Sequence, residues 1–485
     1  MLFNSKVFVV FLLFTLAVYY RLGKEGKLWF LLVMSYVFYG FWNPWLCSLI
    51  FLSTVVDYTC ALKIDGATTP RGRNTWLGVS LAMNLGALGF FKYYNFFLDS
   101  LEGSLWLLGL PHGSIGAWHL DLILPVGISF YTFQTLSYTI EVWRGNFQAD
   151  RNFRDFALFV SFFPQLVAGP VERATHLLPQ YKLDFTLNRA QVYEGVYLIL
   201  LGYVKKVCIG DRLGRWIEPH FAQPLTSGPE ALTSILLFTT QIYVDFSAYS
   251  DIAIGLGRLL GYDIRPNFNL PFVVPSIPER WRRWHISMGH WFRDYIYFPL
   301  GGNRHGKTRT LLHIMMVMFL SGLWHGASYN FVVWGLLNGL TMVGHRLLLP
   351  VLKPTSAFFK SFGRASEIAY FYLCCWNTMV MISLINIFFR SDTWEVARSY
   401  VSSLFLTHPA QWVDWAARGF PLLPHYGEGF AFMLLVFAAH ESQRWWQTKE
   451  KILAHRGAWA TACLSMFLYV IFYGIKGPEF IYFQF

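Results

Sequence analysis

Long apolar runs separated by short stretches rich in lysine and arginine fill almost the whole chain, a pattern that predicts successive hydrophobic helices. In the first third, runs at 7–20, 28–42, 46–62, 76–98 and 122–142 are punctuated by Arg21, Lys24 and Lys27, then Lys63, Arg71 and Arg73, then Arg144, Arg151 and Arg154. With the N-terminus outside, all three basic clusters fall on the cytoplasmic side, as the positive-inside rule requires. Residues 1–20 share a lysine and an apolar core with signal peptides. No small-residue cleavage site precedes Tyr19, Tyr20 and Arg21, so the segment reads as a retained first span.

Further along, the runs at 156–170, 191–210, 232–260, 310–324, 331–349, 368–389, 430–440 and 458–473 are shorter or broken by proline and glycine. Non-helical backbone at membrane depth is tolerated only where it lines protein or a cavity, so some of these are expected to be re-entrant. The pattern predicts an all-α polytopic membrane protein of about ten or eleven spans. No internal repeat and no low-complexity linker divides residues 1–485, which read as a single transmembrane domain.

Residues 277–298 predict a helix of a different kind. Ser276 and Glu279 have the spacing of a capping box, with Pro278 acceptable in the first turn. Trp281, Trp284, Met288, Trp291, Tyr295 and Phe298 then repeat on one face, opposite Arg282, Arg283, His290, Arg293 and Asp294. Such a helix suits the membrane interface. His285 falls on the flank shared with Phe292 and Ile296, toward the apolar side.

Composition sharpens the class. Of 485 residues, 55% are hydrophobic and only 14% charged, too apolar for a soluble chain of this length. The net charge of +11 sits in short loops between apolar runs, where it orients helices against anionic lipid rather than binding nucleic acid. The six cysteines show no paired metal-ligand spacing and read as free, buried thiols, so no metal site is expected.

Candidate chemistry centres on 319–339, FLSGLWHGASYNFVVWGLLNG, where one apolar helix ends at a Trp-His-Gly break and another begins. His325 there is either a core histidine bonded to neighbouring carbonyls or a general base held away from water. Ionisable groups at membrane depth are costly and tend to mark function. His285, 40 positions earlier, has the same two readings. The knot 245–251 carries Asp245, Ser247, Tyr249 and Asp251, which either bind substrate or satisfy one another and the ends of broken helices. Asn303 and Arg304 open a basic turn with His305, Lys307 and Arg309, fit for a phosphate-bearing donor or for setting topology. There is no P-loop, dinucleotide fingerprint, HExxH or GxSxG elbow.

The stretches WRRWHISMGHWFRDYIYFPLGGNR (281–304) and LSGLWHGASYNFVVWG (320–335) closely resemble the membrane-bound O-acyltransferases. FFPQLVAGPVER (162–173), VDFSAYSDIAIGLG (244–257) and LPVGISFYTFQTLSY (124–138) resemble its bacterial polysaccharide branch, and the final GPEFIYFQF is also family-like. The resemblance implies a ring of tilted and re-entrant helices around a thinned central tunnel. It implies that His325 is catalytic, with His285 at the family's second polar position; Trp324, next to His325, is a further candidate for substrate binding.

It further implies transfer of acetyl from cytoplasmic acetyl-CoA, with no bound cofactor, across the bacterial inner membrane for O-acetylation of an exported, alginate-like polysaccharide. An extracytoplasmic SGNH-like partner would complete that transfer. Teichoic acid, peptidoglycan or lipid acceptors, or a transporter without chemistry, are the alternatives. A helix starting near Thr310 would carry His325 roughly 22 Å into a ~30 Å core, nearer the outer face. A cytoplasmic tunnel long enough for a pantetheine arm is therefore expected.

Overall fold

The apolar runs form helices because only a helix satisfies every backbone donor and acceptor within one segment in lipid. The computed structural model describes residues 1–110, 115–167, 169–184, 187–417 and 424–478, and their regular structure is helical throughout. Residues 479–485, most of the family-like final segment, lie outside the described residues.

In chain order the helices are α1 (Lys6–Tyr19), α2 (Lys24–Gly40), α3 (Cys47–Asp65), α4 (Pro70–Leu88), α5 (Tyr94–Leu107), α6 (Ile128–Arg144), α7 (Phe153–Ser161), α8 (Ala174–Tyr181), α9 (Arg189–Tyr203), α10 (Asp211–Phe221) and α11 (Gly228–Leu260). After them come α12 (Ile277–Arg283), α13 (Ile286–Phe292), α14 (Lys307–His325), α15 (Tyr329–Ser361), α16 (Arg364–Arg390), α17 (Trp394–Leu406), α18 (Pro409–Ala417), α19 (Pro424–Trp446), α20 (Thr448–Ala454) and α21 (Arg456–Tyr473). Wider π turns at Gly89–Tyr93, Val204–Gly210 and Arg293–Tyr297 interrupt three of the predicted segments.

Five helical segments among the described residues are long and apolar enough to cross a membrane, fewer than the ten or eleven predicted. They are Pro44–Asp65, which adds a short leading turn to α3, together with α11, α15, α16 and α21. Others are shorter, as α7 is, ending after nine residues, while α4 with α5 and α9 with α10 run on through their π turns as continuous helix. The five differ in surroundings. The most apolar window of α11 is 94% buried in protein, whereas that of α21 is only 6% buried.

The chain divides into two compact units, Met1–Gly195 with Ala253–Arg265, and Val196–Ile252 with Pro266–Phe485. In the first unit, Phe3, Phe8, Phe11, Phe38 and Phe163 form an aromatic core. On α3, the fully buried Asp57 accepts hydrogen bonds from Ser80 (2.6 Å) and Asn84 (2.9 Å) of α4. In the second unit, α10, α11, α16 and α17 share one apolar core that also takes in Trp284 and Trp334.

The predicted helix over 277–298 is not continuous. Its start is as expected, since the Ser276 hydroxyl accepts the Glu279 backbone N–H at 3.4 Å. The Glu279 carboxylate completes no capping box and instead takes Arg282 and Arg283, at 3.1 and 2.9 Å. The helix then breaks at His285, whose backbone is left-handed with φ 46°. Such a conformation is costly for a residue with a Cβ and persists only when the surroundings hold it. Here Asn267 holds it, its carbonyl accepting the Ile286 N–H at 2.9 Å. Periodicity along the segment could not reveal a clamp 18 residues upstream.

Candidate active site

The site is built on the α14–α15 hairpin. α14 begins at Lys307, three residues before the predicted start, and ends at His325; α15 resumes at Tyr329. The two backbones nearly touch. A Cβ on Gly335 would lie 2.5 Å from the Met318 carbonyl oxygen, and one on Gly322 would lie 2.2 Å from that of Phe331. Small residues at such a crossing let helices associate closely in a membrane. They also fix the height and angle at which His325 leaves the end of α14.

His325 is 5% exposed and its ring is walled by aromatic side chains, with centroids 4.8 Å from Trp324, 5.0 Å from Trp334 and 5.2 Å from Phe389. It lines a small pocket together with Arg280, Trp281, Trp334, Asn338 and Asn386. The polar floor is tied together. The Trp334 indole donates to Asn386 Oδ1 at 3.2 Å, Asn386 Nδ2 donates to Thr239 at 3.1 Å, and Asn338 Nδ2 donates to the Trp334 carbonyl at 2.9 Å. The buried Asn338 Oδ1 takes no hydrogen bond among the described residues.

His285 is fully buried and also packs against the Trp324 indole, at 5.8 Å, with Phe246 edge-on at 4.8 Å. Trp324 thus contacts both histidines, while the pocket is lined by His325 and not by His285. Its Nδ1 lies 3.1 Å from Asn267 Oδ1. That oxygen also accepts from the backbone N–H and hydroxyl of Ser287, at 3.3 and 2.9 Å, so it is assigned as the amide oxygen. A neutral His285 therefore carries its proton on Nδ1, and Nε2 is an acceptor only.

The other predicted site residues lie apart from this pocket. Asp245 pairs with Lys206 at 2.5 Å, and Lys206 also meets Asp211 at 2.9 Å, all three side chains being no more than 3% exposed. Asp251 pairs with Lys205 at 2.6 Å. The Ser247 hydroxyl donates to the Val244 carbonyl at 3.3 Å, and Tyr249 is buried within α11. Of α11, Ile242 is the residue that lines the pocket. Asn303 and Arg304 stand on an exposed turn held by His313, whose Nδ1 bonds the Gly302 carbonyl at 2.9 Å. Among the described residues no group of three or more His, Cys, Asp or Glu side chains is placed to hold a metal ion.

Sequence reasoning missed Asn267, Arg280, Asn338 and Asn386, which orient the first histidine or line the pocket of the second. It also missed His440, whose Nε2 lies 2.8 Å from the Tyr243 hydroxyl in the buried core. Lys205 and Lys206 had a usable signal, since two lysines inside an apolar run demand partners. Asn267 had none.

Chemically, a neutral imidazole in an aromatic pocket with one open side can take a proton from a hydroxyl that enters beside it. The profile of the membrane-bound O-acyltransferase family matches residues 148–391, which include both histidines. The chain is 37% identical over 410 residues to the probable alginate O-acetylase AlgI of Pseudomonas syringae pv. tomato, covering 84% of this chain and 75% of that protein. It is 34% identical to a peptidoglycan O-acetyltransferase of Helicobacter pylori, over 71% of this chain and 70% of that protein. A teichoic acid D-alanyltransferase of Bacillus subtilis is 26% identical over 46% of this chain and 59% of its own length.

Proposed function

Since the chain belongs to the membrane-bound O-acyltransferase family, we propose that it acetylates an exported, alginate-like polysaccharide, drawing acetyl from cytoplasmic acetyl-CoA. It is a multi-pass membrane acyltransferase, and the bacterial inner membrane is where the donor and an exported acceptor can meet. The acceptor that first receives the acetyl group is either a sugar hydroxyl or a serine of an extracytoplasmic SGNH-like partner.

The observation that carries this reading is the setting of His325, a buried ring at a helix break with one face on a pocket. In the reaction the acceptor hydroxyl attacks the thioester carbonyl carbon while the His325 ring takes its proton. The new C–O bond forms, the C–S bond breaks, and the departing thiolate of coenzyme A recovers the proton from the ring. His285, with Nε2 as a lone-pair acceptor, serves to position a donor group and cannot itself donate to a developing negative charge.

The test uses purified full-length protein in lipid vesicles with labelled acetyl-CoA and three acceptors: a polyuronate, peptidoglycan fragments and a teichoic acid. His325→Ala is expected to lower transfer about 10²–10⁴-fold while protein abundance in the membrane is unchanged. Full transfer by that variant would sink the assignment of the base. Transfer to peptidoglycan alone would move the acceptor to the class named for the Helicobacter relative. Absence of thioester cleavage by the wild type with every acceptor would favour transport without chemistry.

A further inference from the structure

Arg280 is 5% exposed, on the first short helix of the broken segment, and its guanidinium lies between two rings, 4.4 Å from Trp284 and 5.0 Å from Phe272. It donates one hydrogen bond, from NH1 to the Pro271 carbonyl at 2.9 Å, and no carboxylate among the described residues lies within ion-pair reach of it. A guanidinium has five N–H donors. Burying an uncompensated charge costs several kcal/mol, and proteins ordinarily supply a partner. In the same unit they do, as Lys205 and Lys206 both face aspartates.

Arg280 lines the same pocket as His325, which puts it beside the base of the proposed reaction. Its neighbour Trp281 lines the same pocket, and the Trp281 indole N–H has no acceptor among the described residues. Two unspent donors from consecutive residues therefore share a cavity with the base.

We propose that Arg280 and Trp281 form the oxyanion site of the acyl transfer, binding the oxygen of the thioester carbonyl as it becomes negative. This rests on the acyltransferase reading above. When the hydroxyl oxygen bonds to the carbonyl carbon, the carbonyl π pair moves onto oxygen. That anion is held by the guanidinium and the indole N–H until the pair returns and the C–S bond breaks. The missing counter-ion is then supplied by the reaction itself, in a water-poor pocket where such donors act most strongly. The tautomer of His285 leaves this work to other groups, and a resident carboxylate beside Arg280 would cancel it.

The experiment measures kcat and KM for acetyl-CoA with the full-length protein in vesicles, for transfer to a polyuronate and, separately, for transfer to water. Arg280→Gln is expected to lower kcat about 10²–10³-fold in both reactions with KM nearly unchanged, the size found when one oxyanion donor is removed. Trp281→Phe keeps the ring and loses the N–H, and a smaller loss of the same kind is expected. If Arg280→Gln raises KM for the polyuronate and leaves thioester hydrolysis intact, Arg280 binds an acceptor carboxylate and the oxyanion assignment is overturned. If Arg280→Gln fails to accumulate, Trp281→Phe decides, and an unchanged kcat in that variant overturns the site as proposed. Absence of thioester cleavage by the wild type is a different failure, that of the acyltransferase reading.

Discussion

Lys206 and Arg280 are both buried cations in the second unit, and their surroundings are opposite. Lys206 stands on the π turn between α9 and α10, facing Asp211 five residues ahead and Asp245 on α11. The i to i+5 repeat of a π turn brings Lys206 and Asp211 to one side, so the widened turn and the ion cluster explain each other. Arg280 instead lies over the rings of Phe272 and Trp284 and lines the pocket of His325. A closed charge cluster is the signature of structure; a buried charge left open beside a base is the signature of chemistry.

The largest effect is expected at the closed cluster. Lys206→Met leaves two buried carboxylates facing each other, and a loss of about 3–5 kcal/mol is expected, measured as a fall in the thermal midpoint in detergent. The triple variant Lys206→Met, Asp211→Asn, Asp245→Asn is expected to recover most of that stability, since neutral replacements of a whole buried ion group are often tolerated. If the triple variant is stable yet wholly inactive, the cluster belongs to the chemistry and the contrast with Arg280 fails.

A smaller effect is expected at the glycine crossing that carries the open pocket. Gly335→Ala places a methyl 2.5 Å from a backbone oxygen that cannot swing away, so α14 and α15 must separate. The expected cost is about 1–3 kcal/mol, with acyl transfer falling more than stability because His325 moves with the end of α14. Equal activity at reduced stability would show that the crossing holds the fold and not the site.

The smallest effect concerns a third kind of ionisable group, a histidine that is paired and half-buried in the first unit. His176 Nδ1 lies 2.9 Å from Glu172 and its Nε2 3.4 Å from Asp263, while Arg265 (3.8 Å from Glu172) and Arg258 (2.6 Å from Asp263) complete the group. Asp263 first, then Glu172, hold its pKa up, from 6.5 to about 9. A histidine raised in the folded state contributes stability that is fully present below about pH 6.5 and is lost as pH rises through about 9. The thermal midpoint should therefore fall by a few degrees between these limits, and His176→Gln should flatten the profile. An unchanged slope in that variant would remove His176 from the account.

Features that depend on near neighbours were legible along the chain. Apolar runs could only become helices, Ser276 could only cap the turn that follows it, and the Trp-His-Gly break after α14 placed His325 at a helix end. The family resemblance then pointed to both histidines. What the tertiary structure decided was every pairing across distance. Asn267 bends the chain at His285 and sets its tautomer, Lys206 removes Asp245 from the candidate substrate contacts, and Arg280 is left without a carboxylate beside His325. Periodicity records which side of a helix is apolar, because burial is an average over many neighbours. Whether a given charge meets a partner depends on one contact between segments far apart in the chain, and no local pattern carries that information.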